Sequence, residues 1–398
     1  MSDTNTQAAT GTDFTALLAQ VADGVVQREL DNVNPFDQVR LVADSGYGKL
    51  RLPVDKGGQG YTLRQLFGAV IDLAAADPIV AHILRTHYWY IEDLLVTDSP
   101  LATRLLDEAS AGKLFGNATS ERTTKAAGDF EFTTTLAAQD DHFRLNGEKY
   151  YTTGTLFTDY VGVQALKGTT LSQLIIPTDR EGVEIIDDWE GFGQRRTGSG
   201  TTRFTDARVE ADEILHEVEL DAANPPSSQF AFVQLYLHAI VAGILRRVVE
   251  DAKGLIEGRV RSFSHAQSPV PAEDPFLQQV VGELASYAFV AESAVLVAAE
   301  SLDAAADSTV NGVQDPELAQ AAALAASKVK VVLDDLGTRA ATVLFEAGGA
   351  SASGRSKALD RHWRNIRTAT LHNPARLKAQ AVGANILLGH QLPTNGYF

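Results

Sequence analysis

His372 stands in the run RTATLHNP, one residue before Asn373-Pro374, a pair that sets the start of a helix. Histidine exchanges its proton near neutral pH, and the electropositive N-terminus of a helix favours its uncharged ring. Asn117 lies in GNATSE with the hydroxyls of Thr119 and Ser120 close behind. A neutral amide there can hydrogen-bond a ligand without adding charge. In LNGEKYYTTG the two-residue period puts Tyr151 and Thr153 on one face of a strand. His87 and Tyr88 sit beside Trp89 on an apolar helix, and Trp189 lies in DDWEGFG. Arg195 and Ser199, in RRTGSG, could donate to a phosphate, while Arg261 and Arg367 are further candidate cations. Each has a plainer reading as a cap, a turn or a core residue. Other chemistries find no support. Cysteine is absent, so there is no thiol nucleophile or thiolate site. There is no G-x-S-x-G elbow, Walker motif or plausible serine triad. AGGASASG precedes no strand and is not a dinucleotide fingerprint. The other histidines lack ligand spacing with carboxylates, so no metal site is expected.

The elements that must hold these residues change character twice along the chain. Phe14, Leu17, Leu18, Val21 and Val25 recur at helical spacing. Thr62 is the expected N-cap of a second helix, which runs through Leu66, Val70 and Leu73 until Asp77-Pro78 ends it. From about Leu114 to Leu215 short β-branched and aromatic runs predict an all-β region, with Leu145-Asn146-Gly147 as a hairpin turn. Four long helices then follow, enough for an antiparallel bundle. The reading is an α+β chain: an N-terminal helical domain (1–113), a central β-barrel-like domain (114–225), and a C-terminal four-helix bundle with its tail (226–398).

The 398 residues carry 51 acidic against 34 basic side chains, net −17, which disfavours nucleic acid and anionic membranes as partners. The N-terminal stretch lacks the features of a signal peptide, and no uninterrupted apolar run reaches the roughly 18 residues of a membrane span. A cytoplasmic protein is expected.

Three stretches in order, FGNATSERTTKAAGDF with LNGEKYYTTGTLFTDYVGV, GFGQRRTGSGTTRFTDARV, and LDRHWRNIRTATLHNP, resemble the acyl-CoA dehydrogenase superfamily. The resemblance implies that Asn117, Thr119, Ser120, Tyr151, Thr153, Trp189, Arg195 and Ser199 surround a flavin. It also implies that Arg261 and Arg367 reach the cofactor of a neighbouring subunit in a homotetramer, a dimer of dimers. Dehydrogenation needs a carboxylate base. In the family's commoner arrangement that position is Asn373; in the other it lies on the first bundle helix, and no acid occurs between Asp221 and Glu250. The chain is most similar to the dibenzothiophene monooxygenase branch, which implies reduced FMN supplied by a separate NAD(P)H:flavin reductase, with FAD as the alternative. Through a C4a-hydroperoxyflavin such an enzyme oxygenates a small apolar substrate, here expected to be an organosulfur compound. His372, Asn117, Thr153 and His87 would be catalytic, and His87, Tyr88, Tyr151 and Trp189 would line the pocket. An FAD-dependent acyl-CoA dehydrogenase or oxidase, an aromatic or amine hydroxylase, and a non-catalytic flavin-binding scaffold remain the alternatives.

Overall fold

The computed structural model describes residues 13–122, 132–220, 227–396 and 398. The N-terminal stretch read for targeting features and the boundary placed at 225/226 fall outside them. Helices α1 (Thr15–Ala22), α2 (Val25–Asp31) and α3 (Phe36–Asp44) open the described chain. Thr62 caps α4 (Leu63–Ala76) in a reciprocal box with Gln65, each side chain accepting from the other's backbone N–H. Asp77 ends α4 and also starts α5 (Pro78–Ile83), its carboxylate accepting from Ile79 N–H at 2.9 Å. Helices α6 (Arg85–Val96) and α7 (Pro100–Ser110) lead into the sheet.

Among the described residues eight strands follow: β1 (Phe115–Ala118), β2 (Thr135–Gln139), β3 (His142–Lys149), β4 (Tyr160–Lys167), β5 (Thr170–Pro177), β6 (Val183–Ile186), β7 (Thr201–Val209) and β8 (Ile214–Glu219). They pair in the order β6-β7-β3-β2-β4-β5-β8, with β1 running parallel to β4. The expected turn at Leu145-Asn146-Gly147 is instead the middle of β3. These residues pair with β2 on one side and β7 on the other, and the register slips at a bulge between Leu145 and Gly147. The hairpin turns at Asp140-Asp141, where Asp140 takes φ 51°. Asparagine-glycine suits a turn and a bulge alike. The choice went to the bulge because β7 pairs with Leu145 and Gly147 on either side of Asn146, and Asn146 Oδ1 accepts from Asp206 N–H at 2.8 Å.

The C-terminal region holds α8 (Gln229–Glu257), α9 (Pro275–Asp307), α10 (Pro316–Gly348), α11 (Asp360–Thr370) and α12 (Ala375–Leu388), one helix more than the four expected. The extra one is α11. Its buried face carries Arg361, His362 and Asn365 as well as Ile366 and Ala369, so hydrophobic periodicity does not reveal it. The apolar core is shared across the chain. Leu66, Phe67 and Val70 of α4 pack with Phe232, Tyr236 and Ile240 of α8, while Leu145, Val161, Leu174 and Phe204 form a separate core within the sheet. Gly162 of β4 lets the strand lie against Tyr90 of α6, because a Cβ there would overlap the ring. The sheet is thereby seated on α6, the helix that Arg85 opens.

Candidate functional site

The loop between β6 and β7 is built onto α11. Gln194 N–H donates to Asn365 Oδ1 at 2.7 Å, and Trp189 Nε1 and Thr197 Oγ1 both donate to the Gln194 carbonyl at 2.9 Å. Gly193 is required there, since a Cβ would overlap the carbonyl of Arg364. The loop then delivers Ser199, whose hydroxyl lies 2.7 Å from those of both Thr197 and Thr153. Thr153 and Ser199 are thus brought together. Tyr151 is not on a strand face with Thr153, because β3 stops at Lys149. It takes φ 60°, is 54% exposed, and meets Trp189 edge-on at 5.9 Å.

A second group forms where α5, α6, α8 and the α11–α12 loop meet. His82 Nδ1 lies 3.1 Å from Gln194 Oε1. Burial, with Arg85 nearby, pushes the His82 pKa down to about 3. His372 lies in the loop after α11 rather than at the first turn of α12, its N–H donating to the Ala369 carbonyl. Its pKa is lowered, as the helix-terminus argument expects, but for another reason: loss of solvation comes first, followed by the charges of Arg85, Lys330 and Lys378. His372 is nonetheless exposed, so the nearby cations rather than burial are the ground for a neutral ring. Asn373 Nδ2 donates to Gln234 Oε1 of α8 at 2.6 Å. The two positions at which the resemblance would put a dehydrogenase's acid therefore meet here through amides.

Asn117, on β1, is locked by Thr155, whose Oγ1 accepts from the Asn117 N–H at 2.9 Å and donates to its carbonyl at 3.0 Å. Its side-chain Oδ1 is buried with no hydrogen-bond partner. Thr119 and Ser120, half-buried, follow directly. Glu121 and Lys149 then tie this loop to the end of β3 through a 2.8 Å ion pair between almost fully buried side chains. Burial would raise Glu121, yet Lys149 and the Thr133 and Thr134 donors hold it at about 2. Burial outweighs Glu121 at Lys149 and brings it to about 8. An orphaned acceptor beside loop hydroxyls fits a flavin, which presents ring N–H donors.

The remaining expected residues lie apart. His87 is in the core, its Nε2–H donating to Gly48 O at 2.8 Å, its Nδ1 facing Phe115 N–H, and its ring stacked on Phe115. Tyr88 is fully buried and donates to the Tyr47 carbonyl. Both side chains are satisfied by backbone, so the structure does not join them to Tyr151 and Trp189 in a pocket wall. Arg195 is half-buried. Arg367 donates to Thr370 Oγ1 at 3.3 Å. Arg261 is exposed at a recess of about 830 Å³ that also takes in Gly348, Gly349 and Ser351. Sequence reasoning passed over His82, Gln194, Asn365 and the Glu121–Lys149 pair. Each is a lone residue without a spacing pattern, and only tertiary contact shows its use. Among the described residues there is no cluster of three or more metal-ligating side chains.

Known proteins resemble this chain in sequence and in fold. Residues 235–376 match the family described as acyl-CoA dehydrogenase, C-terminal domain. The probable FMNH2-dependent monooxygenase SfnC of Pseudomonas putida is 29% identical over 92% of both chains. Residues 235–376 thus carry the acyl-CoA dehydrogenase C-terminal domain, and the chain as a whole has an acyl-CoA dehydrogenase-like fold. The dibenzothiophene monooxygenase TdsC of Paenibacillus sp. A11-2, solved with FMN and indole, superposes with a TM-score of 0.88 at 26% identity, over 96% of this chain and 98% of TdsC. Methanesulfinate monooxygenase MsuC of Pseudomonas fluorescens gives 0.86 at 25% identity over the same shares.

Proposed function

We propose that this protein is a two-component, FMNH2-dependent monooxygenase of organosulfur compounds that acts through a C4a-hydroperoxide of the flavin, with electrons from a separate NAD(P)H:flavin reductase. One observation carries the reading: the leading charges acting on the His372 imidazole are cationic, and Asn373, where a dehydrogenase has its base, is an amide bonded to Gln234. Such a site lacks the carboxylate base that dehydrogenation uses, but it can hold an oxygenating cofactor. When bound, reduced FMN supplies the two electrons with which O2 is split between substrate and water.

In this reading Asn117 Oδ1 accepts from the flavin ring, and the hydroxyls of Thr119, Ser120, Thr153 and Ser199 line its edge. Tyr151 and Trp189 supply an aromatic wall, and Arg195 and Ser199 are the donors for the phosphate. Arg261 and Arg367 serve the cofactor of a neighbouring subunit within a cytoplasmic homotetramer. His372 stays neutral and donates one hydrogen bond at the reacting edge without delivering a proton at once. Its neutrality matters because early protonation releases hydrogen peroxide instead of product.

Chemically reduced FMN, O2 and organosulfur compounds mixed with the enzyme should give oxygenated product, whereas NADH or NADPH without a reductase should give none. Anaerobic acyl-CoA thioesters should leave bound oxidised flavin unbleached. Rapid bleaching by any thioester would replace this reading with the dehydrogenase one.

A further inference from the structure

The hydroxyls of Thr153, Ser199 and Thr197 form a row whose direction is fixed at one end. The Gln194 carbonyl can only accept, so Thr197 Oγ1 donates to it at 2.9 Å. A hydroxyl has one hydrogen to give. In the 2.7 Å contact between Thr197 and Ser199 the donor is therefore Ser199, and in the 2.7 Å contact between Ser199 and Thr153 it is Thr153. Thr153 is left with lone pairs, and no hydrogen, for a ligand. Thr197 and Ser199 are buried, at 0% and 5% exposure, whereas Thr153 is only half-buried, so the open end of the row is an acceptor. The surroundings hold this direction. Gln194 is 1% exposed, its N–H is bound by Asn365 Oδ1, and its carbonyl also accepts from Trp189 Nε1. Gly154 N–H donates to the Thr197 carbonyl at 2.9 Å, which keeps the two hydroxyl-bearing segments together.

Asn117 supplies a second, independent acceptor. It is 8% exposed, and its Oδ1 is buried with no hydrogen-bond partner. Thr155, two residues after Thr153, locks its backbone and so ties the two acceptors to one segment. An oxidised isoalloxazine ring carries one N–H, at N3, while its N1 and N5 accept. Two-electron reduction adds a hydrogen at N5 and turns that acceptor into a donor. The single N–H of the oxidised ring can satisfy one of the two protein acceptors and leaves the other unpaired, which is costly in a buried site. The reduced ring has a donor for each.

We propose that this hydroxyl row selects the reduced flavin: Thr153 accepts from the N–H gained on reduction, and Thr197 is the positioning residue that sets its polarity. This rests on the reading that a flavin binds at Thr153 and deepens it. Such a row lets the enzyme take FMNH2 from a separate reductase in preference to the FMN it must release. It also spends the Ser199 hydroxyl hydrogen on Thr197, so donation from Ser199 to a phosphate falls to its main-chain N–H.

The test compares the anaerobic affinities of the full chain for FMN and FMNH2 at one pH, together with the midpoint potential of bound against free FMN. The wild-type protein should bind FMNH2 roughly 10- to 100-fold more tightly. For a two-electron couple that raises the bound potential by about 30–60 mV. Thr197→Val keeps the shape of the buried side chain but frees the Ser199 hydrogen to turn towards Thr153, which can then donate to the oxidised ring. The preference should fall about tenfold, or about 30 mV, chiefly through tighter binding of FMN. Thr197→Ser retains the hydroxyl and should behave as wild type, and circular dichroism checks that each variant is folded. Ser199→Ala frees the Thr153 hydrogen directly and should reproduce the loss, which covers the case of a valine variant that does not fold. Equal affinity of the wild-type protein for the two flavin states, or a folded Thr197→Val protein with an undiminished preference, would overturn the proposal. Aerobic turnover separates it from the monooxygenase reading. A preference for FMNH2 that Thr197→Val abolishes, without oxygenation of organosulfur compounds, upholds the row and sinks the monooxygenase. Oxygenation with a preference indifferent to Thr197→Val sinks the row alone, and absence of flavin binding in either state sinks both.

Discussion

At the scale of single residues, the histidines divide by what their nitrogens touch. His372 faces cations and keeps a neutral ring, so it can donate a hydrogen bond without acting as an acid. His372→Ala should leave the fold intact and divert turnover to hydrogen peroxide. Removal of one well-placed donor costs roughly 100- to 1,000-fold in rate. Product formed per reduced flavin consumed is the measurement, and unchanged coupling at a near-normal rate would make His372 structural. His87 has the opposite fate. Both its nitrogens are spent on backbone, and burial lowers its pKa to about 4. For a histidine whose folded pKa lies below its unfolded value of 6.5, stability is complete above pH 6.5 and declines as the pH falls towards the folded pKa. Each such group contributes a slope of about 1.4 kcal/mol per pH unit in that window, and His82 adds another. Urea denaturation between about pH 7 and pH 4.5 should show this acid-side loss, and His87→Gln should reduce the slope by one group's share. An unaltered slope would mean that His87 is protonated in the folded protein.

At the scale of elements, the Glu121–Lys149 pair joins the loop after β1 to the end of β3, the two segments proposed to face the flavin. Lys149→Met would strand a buried carboxylate, at a cost of roughly 3–5 kcal/mol. Lys149→Met with Glu121→Gln removes both charges and should recover most of that loss. Chemical denaturation and FMN affinity should move together in the single variant and return together in the double one. Equal stability of the two variants would dismiss the pair as an anchor. This pair also shows what the sequence could convey. The helix from Thr62 to Asp77 was legible because capping and apolar spacing are local signals, and those local signals agree with the packing against α8. The order of helices, strands and bundle was legible for the same reason. The bulge at Asn146-Gly147 was not, because a turn and a bulge use the same residues and only β7 decides between them. Helix α11 was hidden by a buried face of Arg361, His362 and Asn365, which reads as exposed. Thr153 and Ser199 were named from sequence and are found in contact. Their support by Gln194 and Asn365 depends on chain segments 171 residues apart, which no local pattern encodes.

At the scale of the whole molecule, α9 leaves an apolar stripe exposed. Phe276, Val290 and Val297, at intervals of 14 and 7 residues, fall on one side of the helix, and Phe289 lies beside them at 72% exposure. By length and composition both α8 and α9 could cross a membrane, but α8 is the interior core of this fold, so α9 is the one whose surface needs explanation. Exposed apolar side chains of this kind suit an interface, and in the proposed tetramer a second copy of the chain would cover them. Replacing Phe289 by arginine would place a charge in that contact while touching no core residue. The purified Phe289→Arg protein should keep its helical content but sediment as a smaller species at micromolar concentration. The consequence for the cofactor follows from Arg261. If that exposed residue and the recess beside Gly348 and Gly349 serve a neighbour's FMN, dissociation and loss of FMN affinity should occur over the same concentration range. Arg261→Ala should weaken FMN binding without altering the sedimenting species. A Phe289→Arg protein that dissociates yet binds FMN as tightly as before would confine the flavin site to one chain and leave Arg261 a surface residue.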